Sequence, residues 1–142
     1  MTSTTFDTQT DIAQLTHKVS QEHRKVKRIL KEQINDLNKL IYHANKWKNF
    51  NHQSIIKLHE IFIDETYIFL VTESSKNEGI LQNITQRETI SEINVKKFFN
   101  EILSLIYFLK ENDFPLDFIS PKQFCIQEGT LKIDNLLRMS GY

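Results

Sequence analysis

Apolar residues recur at three- and four-residue steps through the first third of the chain. They are Ile12, Leu15, Val19, Val26, Ile29, Leu30, Ile34, Leu37, Leu40, Ile41, Ala44, Trp47 and Phe50. That spacing predicts helix from about residue 11 to 50, firmest over 32–49. A long helix or coiled coil is one reading of it. Nothing punctuates the stretch, because the first Gly is Gly79 and the first Pro is Pro115. The period then changes. "SIIKLHEIFI" (54–63) and "TYIFLVTE" (66–73) are rich in Ile, Phe, Tyr and Val around a polar Asp64–Glu65. They predict two antiparallel strands joined by a tight turn.

"SSKNEG" (74–79) reads as a loop and "ILQNIT" as a short helix. Ser91 suits the N-cap of a longer helix running to about Asn112. Its broad apolar side carries Ile93, Phe98, Ile102, Leu103, Ile106 and Leu109. "PLDFISPKQ" is irregular, and "FCIQ" and "TLKID" form a small hairpin around Glu128–Gly129. There is no internal repeat and no low-complexity tract.

Composition narrows the class. At 142 residues with 39% hydrophobic and 25% charged positions, the chain suits one globular domain. A domain of this size buries roughly 68–70% of its unfolded surface. Only residues 1–10 read as a flexible start. Residues 1–60 hold ten Lys/Arg against six Asp/Glu, and residues 61–142 hold eight against twelve. This mild split, with zero net charge, gives no basis for a nucleic-acid partner. The densest basic run, "HRKVKRILK" (23–31), is read as a solvated face before a phosphate patch. Cys125 stands alone, so no internal disulfide forms, which suits a reducing, cytoplasmic or otherwise intracellular setting. No signal-peptide pattern and no run of about 18 apolar residues appears, so no membrane association is expected.

The order of elements, with these residues, resembles the middle of a eukaryotic protein kinase domain. "NHQSIIKLHEIFIDETYIFLVTE" (51–73) resembles the family's stretch from the end of helix αC through its fourth and fifth strands to the hinge. "ISEINVKKFFNEILSLIYFLKEN" (90–112) resembles helix αE. "LDFISPKQFCI" (116–126) falls on the catalytic-loop pattern H-R-D-L-x-x-x-N, and "LKIDNLL" (131–137) on the strand leading into D-F-G. The resemblance implies an α+β, partial kinase-like fold. Residues 11–73 would form an N-lobe remnant of αC and a small antiparallel sheet. Residues 74–142 would form an incomplete C-lobe with αD and αE helices and a catalytic-loop hairpin. Together 11–142 make one truncated domain.

Phosphoryl transfer requires positioned phosphates, metal-held charge and a group that takes or orients the hydroxyl proton. Carried over residue by residue, the base place holds Phe118, which cannot accept a proton. The catalytic-loop Lys becomes Ser120. The second-metal Asn becomes Gln123, and the D-F-G Asp becomes Asn135, followed by Leu136 and Leu137. Mg²⁺ favours carboxylates and phosphates over neutral amides. A one-residue slip in both segments would restore two carboxylates, Asp117 and Asp134. The bland reading of both is a loop or cap residue. At the phosphate end no Gly is present for a glycine-rich loop. The third-strand Lys survives as Lys27, but its αC partner place holds His43, so the plain reading of Lys27 is a solvated lysine. Lys25 stands where kinases keep a small residue above adenine. The positions offered to a nucleotide are Lys27, Thr72 (at the gatekeeper place), Glu73 and Ser75, and Gly79 replaces the ribose-facing acid.

Losing the base alone costs about 10²–10⁴ in rate. The resemblance therefore implies a pseudokinase-like binding or scaffold module with no cofactor. ATP and Mg²⁺ enter only under the alternative of a relic Ser/Thr kinase, and a coiled-coil interaction protein is a third reading. The family's four-residue apolar stack is kept as Trp47, Leu58, Leu116 and Leu136. The five His read as surface or core-edge residues before a zinc site, and Cys125 as a small buried hydrophobe before a nucleophile. Tyr142 comes about five residues past the D-F-G place, where a kinase would continue. Part of the αE surface is then expected to be uncovered, with a protein partner or self-association over it, unless the chain packs differently or is a piece of a longer product.

Overall fold

The computed structural model describes residues 6–7, 12–16, 20–74, 92–116, 119–120 and 123–137. The fold is α+β. The described residues divide into two compact units. One combines residues up to Asn49 with 57–74, and the other combines 50–56 with 92–137.

The first unit is a four-stranded antiparallel sheet and a helix. Strands β1 (Ile12–Thr16), β2 (His23–Leu30), β3 (Leu58–Ile63) and β4 (Tyr67–Glu73) lie in the order β1-β2-β4-β3. The predicted helix over 11–50 is thus wrong before residue 31, and the coiled-coil reading falls with it. The reason is tertiary. β2 pairs with β1 on one side and with β4 on the other, from Arg24↔Glu73 to Leu30↔Tyr67. Non-local ladder bonds override a local three-and-four spacing. The turn between β1 and β2 needs no glycine, because Gln21 itself adopts φ 58°.

After a short 3₁₀ turn (Lys31–Gln33), helix α1 (Leu37–Asn49) occupies the part predicted most firmly. Asp36 caps it, its Oδ1 accepting from the Lys39 N–H at 3.0 Å. Lys46 and Lys48 sit in the last turn, favourable to the helix dipole. Leu40, His43, Ala44 and Trp47 make the buried face at helical spacing. The β3–β4 turn falls at Asp64 as expected. The Asp64 Oδ1 accepts from the N–H groups of Tyr67 (2.6 Å) and Thr66 (2.7 Å).

The second unit is built on helix α2 (Glu92–Glu111) and the hairpin of β5 (Phe124–Gln127) and β6 (Thr130–Ile133). The helix ends in a Schellman-type cap with Asp113 at φ 52°. Phe114 N–H donates to the Leu109 carbonyl (2.9 Å) and Asp113 N–H to the Lys110 carbonyl (3.2 Å). The hairpin turns through Glu128 (φ 52°) and Gly129 (φ 77°), the two left-handed positions of a type I′ turn.

The outer edge of β6 is covered within this unit. Ile133 N–H donates to the Ser54 carbonyl (2.8 Å) and the Ile133 carbonyl accepts from Ile56 N–H (3.1 Å). Leu131 N–H donates to the Glu101 carboxylate at 2.9 Å. Residues 54–56, predicted as the start of a strand beside β4, belong here instead, with Ile55 bridging Ile133. The core gathers Leu105, Leu109, Phe114, Phe124, Leu131, Ile133, Leu136 and Leu137. Cys125 is buried against Ile56, as the small-hydrophobe reading had it. The predicted short helix at 80–85 and the Ser91 cap lie outside the described residues. Among the described residues no helix is long and apolar enough to cross a membrane.

Candidate functional site

In the first unit, Lys25 and Lys27 share one face of β2. Lys27 lies opposite Leu70 and Ile12, and Lys25 opposite Thr72 and Gln14. Lys25 is buried despite its charge, and so is Thr72. The space beside the gatekeeper place is therefore bounded by a lysine stem. Thr72 Oγ1 donates to the Glu73 carbonyl (3.1 Å) and approaches that of Lys25 (3.5 Å). Glu73 is engaged with the lead-in to β3, its Oε1 accepting from the Lys57 N–H and its own N–H donating to the Lys57 carbonyl, both at 3.0 Å.

His43, on the buried face of α1, stands where the αC glutamate is expected. Burial pushes its pKa down, and Lys39 and Lys46 push the same way, so it is a neutral imidazole at pH 7. A neutral ring cannot form the Lys–Glu ion pair of an active kinase. Ahead of β1, Asp7 N–H donates to the Ile12 carbonyl at 3.0 Å. The residues between them, Thr8–Asp11, contain no glycine and lie outside the described residues.

In the second unit, the residues at both metal places are turned toward their own loops. The Gln123 Oε1 accepts from the Ser120 N–H at 2.9 Å, while Gln123 N–H donates to the Ser120 carbonyl at 3.0 Å. The Asn135 Oδ1 accepts from the Leu137 N–H at 3.1 Å and closes the turn after β6. Both side chains are buried. Asp134 is half-buried and its N–H donates to the Gln123 carbonyl at 2.7 Å. These groups do not fit a Mg²⁺ site, which wants charged oxygens with lone pairs directed at the ion. Among the described residues no three His, Cys, Asp or Glu side chains gather as a metal-binding group.

Phe118 and Asp117, at the base place and one before it, lie outside the described residues, as do Ser75 and Gly79. Of the stack positions, Trp47 and Leu58 are fully buried in the first unit. In the second, Leu136 is fully buried and Leu116 half-buried.

The protein kinase domain family matches residues 8–133. The chain belongs to that family. Human NUAK family SNF1-like kinase 2 is 28% identical over 90 residues, covering 61% of this chain and 14% of that protein. Serine/threonine-protein kinase SIK2 of Gallus gallus is 29% identical over 92 residues, covering 63% and 12%. Calcium-dependent protein kinase 5 of Plasmodium falciparum (isolate 3D7) is 25% identical over 114 residues, covering 80% and 19%. The crystal structure of Rad53 1-466 in complex with AMP-PNP is similar in fold, with a TM-score of 0.76 and 16% identity. It covers 88% of this chain and 34% of that one. The chain therefore spans under a fifth of these relatives' length. Lys27 lies on β2, the strand that precedes α1.

Sequence reasoning missed two features of this kinase-family domain. One is the tie from Glu101 to the Leu131 backbone, hidden because Glu101 reads as one more helix-surface charge. The other is the line Val95, Phe99, Leu103 and Tyr107, which is exposed. The sequence spacing places Leu103 on the apolar side, yet among the described residues the buried line is Glu101, Leu105 and Leu109. A constant four-residue step was the available signal.

Proposed function

We propose that this kinase-family domain acts by binding and does not transfer phosphate. One observation carries the reading: the side-chain oxygens of Gln123 and Asn135, at both metal places, are neutral amide oxygens already accepting from the backbone of their own loops. Removing charged metal ligation and the general base together takes away the two largest parts of the chemistry, although their losses do not simply add. The neutral His43 in the αC glutamate place and the buried Lys25 beside Thr72 support the same reading. The test is ATP turnover by the purified chain with Mg²⁺ and a generic peptide substrate. No turnover above background is expected. Turnover that disappears in Asp117→Ala overturns the reading and favours the shifted register of carboxylates.

A second reading, a domain that still binds ATP, is favoured by Lys27 on β2 and by the AMP-PNP held by Rad53. Thermal melting separates the two. A ligand at 100 times its dissociation constant adds about 2.7 kcal/mol of stability. Under the first reading, millimolar ATP leaves the melting temperature unchanged with or without Mg²⁺.

A further inference from the structure

Strand β3 carries one residue too many for its partner. Leu58 lies opposite Thr72 and Glu60 opposite Val71, so His59 is the extra residue of a β-bulge. Bulges re-aim side chains, and this one sets an imidazole among charges. On β4 the position after Thr72 is Glu73, whose cross-strand partner on β2 is Arg24. Burial, then Arg24 and Lys57, hold the proton affinity of His59 down, while Glu73 and Glu22 act the other way. Glu60, next along β3, is exposed, so solvent screens it. The α1 lysines Lys39 and Lys46 act on His43. His59 itself is half-buried. Its Nε2 is buried, and no hydrogen bond reaches it among the described residues.

Both carboxylates that favour a proton on this ring are already engaged. Glu22 Oε2 lies 2.8 Å from Arg24 Nη2. Glu73 Oε1 accepts from the Lys57 N–H, and the Glu73 N–H donates to the Lys57 carbonyl, both at 3.0 Å. These two bonds close the end of the β3–β4 ladder, one residue before Ser74, where the first unit ends. A proton on His59 adds a third cation to Arg24 and Lys57, and a half-buried cation requires an anion. Taking Glu22 would strip Arg24, whose side chain is only 13% exposed. Taking Glu73 releases only the N–H of Lys57, an exposed residue where water replaces the carboxylate. The second exchange costs less.

We propose that His59 is a proton-operated latch: on taking a proton from solvent it draws the Glu73 carboxylate away from the Lys57 N–H and opens the end of β4. This regulation lies beyond the binding reading and does not depend on it. Because burial resists the charged ring, the latch opens only below the ordinary histidine value of about 6.5. Above it, the neutral ring leaves Glu73 on Lys57 and the strand end closed.

An NMR pH titration of the full chain tests it, following the His59 ring signals together with the exchange protection of the Lys57 and Glu73 amides. One shared midpoint is expected. Lys57 protection should fall about tenfold or more across it, because a hydrogen bond to a charged group is lost. Leu70, in the middle of β4, should change less over the same range, which separates an opened strand end from unfolding. His59→Gln should abolish the step and keep the Lys57 protection seen at higher pH. Glu73→Gln keeps an oxygen for the Lys57 N–H but offers no charge to an imidazolium, and should also abolish the step. Glu22→Gln should leave the step in place, moved to lower pH by the loss of one anion. A Lys57 amide that stays protected while the ring passes its midpoint overturns the proposal. So does a ring that stays neutral until the chain unfolds, or a step that survives His59→Gln. A step lost in Glu22→Gln but kept in Glu73→Gln would make Glu22 the proton's partner and overturn it as well.

Discussion

At the residue scale, Gln123 and Asn135 each bond the backbone of their own loop. Asn135 shows how. Its oxygen accepts from the Leu137 N–H and its neighbours Leu136 and Leu137 are fully buried. The segment after β6 holds a turn and two core side chains, each worth about 1.5–3 kcal/mol when buried. A second position is strained rather than reassigned. Glu128 adopts φ 52° in the type I′ turn, where Asn is favoured and Glu is not. A left-handed residue with an ordinary side chain costs about 1–2 kcal/mol. Glu128→Asn should therefore stabilise the chain by about 0.5–1 kcal/mol. Glu128→Gly should gain less, since Gly also loosens the unfolded chain. The midpoint of urea unfolding at constant slope checks both, and a lower midpoint for Asn would contradict the turn.

At the element scale, α2 and the β5–β6 hairpin are joined through Glu101. Its Oε2 accepts the Leu131 N–H, and Lys97 reaches back to the Gly129 carbonyl while sitting 3.8 Å from the Glu101 Oε1. The edge of β6 would otherwise bury a backbone donor without a partner. Glu101→Leu should cost about 1–3 kcal/mol, since the unmet Leu131 N–H stays buried. Glu101→Gln keeps an acceptor and should cost clearly less. Amide hydrogen exchange at Leu131 reads the difference. Equal exchange in both variants would mean the bond does not hold the edge.

Elements also show what the sequence could convey. The Asp64 turn, the Glu128–Gly129 hairpin and α1 were legible because each rests on local signals: turn residues, a cap, an apolar face of one period. β2 was not, because "HRKVKRIL" carries no strand alternation strong enough to beat its helical spacing. Its partners Thr16 and Glu73 lie far away in sequence or on a separate strand. The candidate site divides in the same way. The residue types at Gln123, Asn135 and His43 could be read from the sequence. What their oxygens and rings touch needed coordinates.

At the scale of the whole molecule, three histidines with lowered pKa values set a pH limit on stability. His43 is lowered by burial and then by Lys39 and Lys46, and His52 by burial alone. His59 is lowered by burial and then by Arg24 and Lys57. His52 shows why protonation is resisted. Its Nδ1 accepts from the Ser54 N–H at 3.0 Å, its Nε2 lies 3.2 Å from Ser104 Oγ, and its ring packs on Phe108. A proton on Nδ1 would set two donors against each other beside the segment that covers β6.

The folded state thus binds these protons less readily than the unfolded chain, whose histidines titrate near about 6.5. Stability is fully present above that value. It falls as pH drops through the lower folded values, because there the unfolded chain holds more protons. The lowered carboxylates, Glu22 and Asp64, respond only at more acid pH, which leaves the interval below about 6.5 to the histidines. Each histidine can contribute at most about 1.4 kcal/mol per pH unit there. Urea midpoints taken at about pH 7.5 and about pH 5.5 should therefore fall on the acid side. His52→Gln should lower the midpoint at the higher pH while shrinking the fall between them. A midpoint that is flat across this interval would show that the histidines protonate as freely in the fold as out of it.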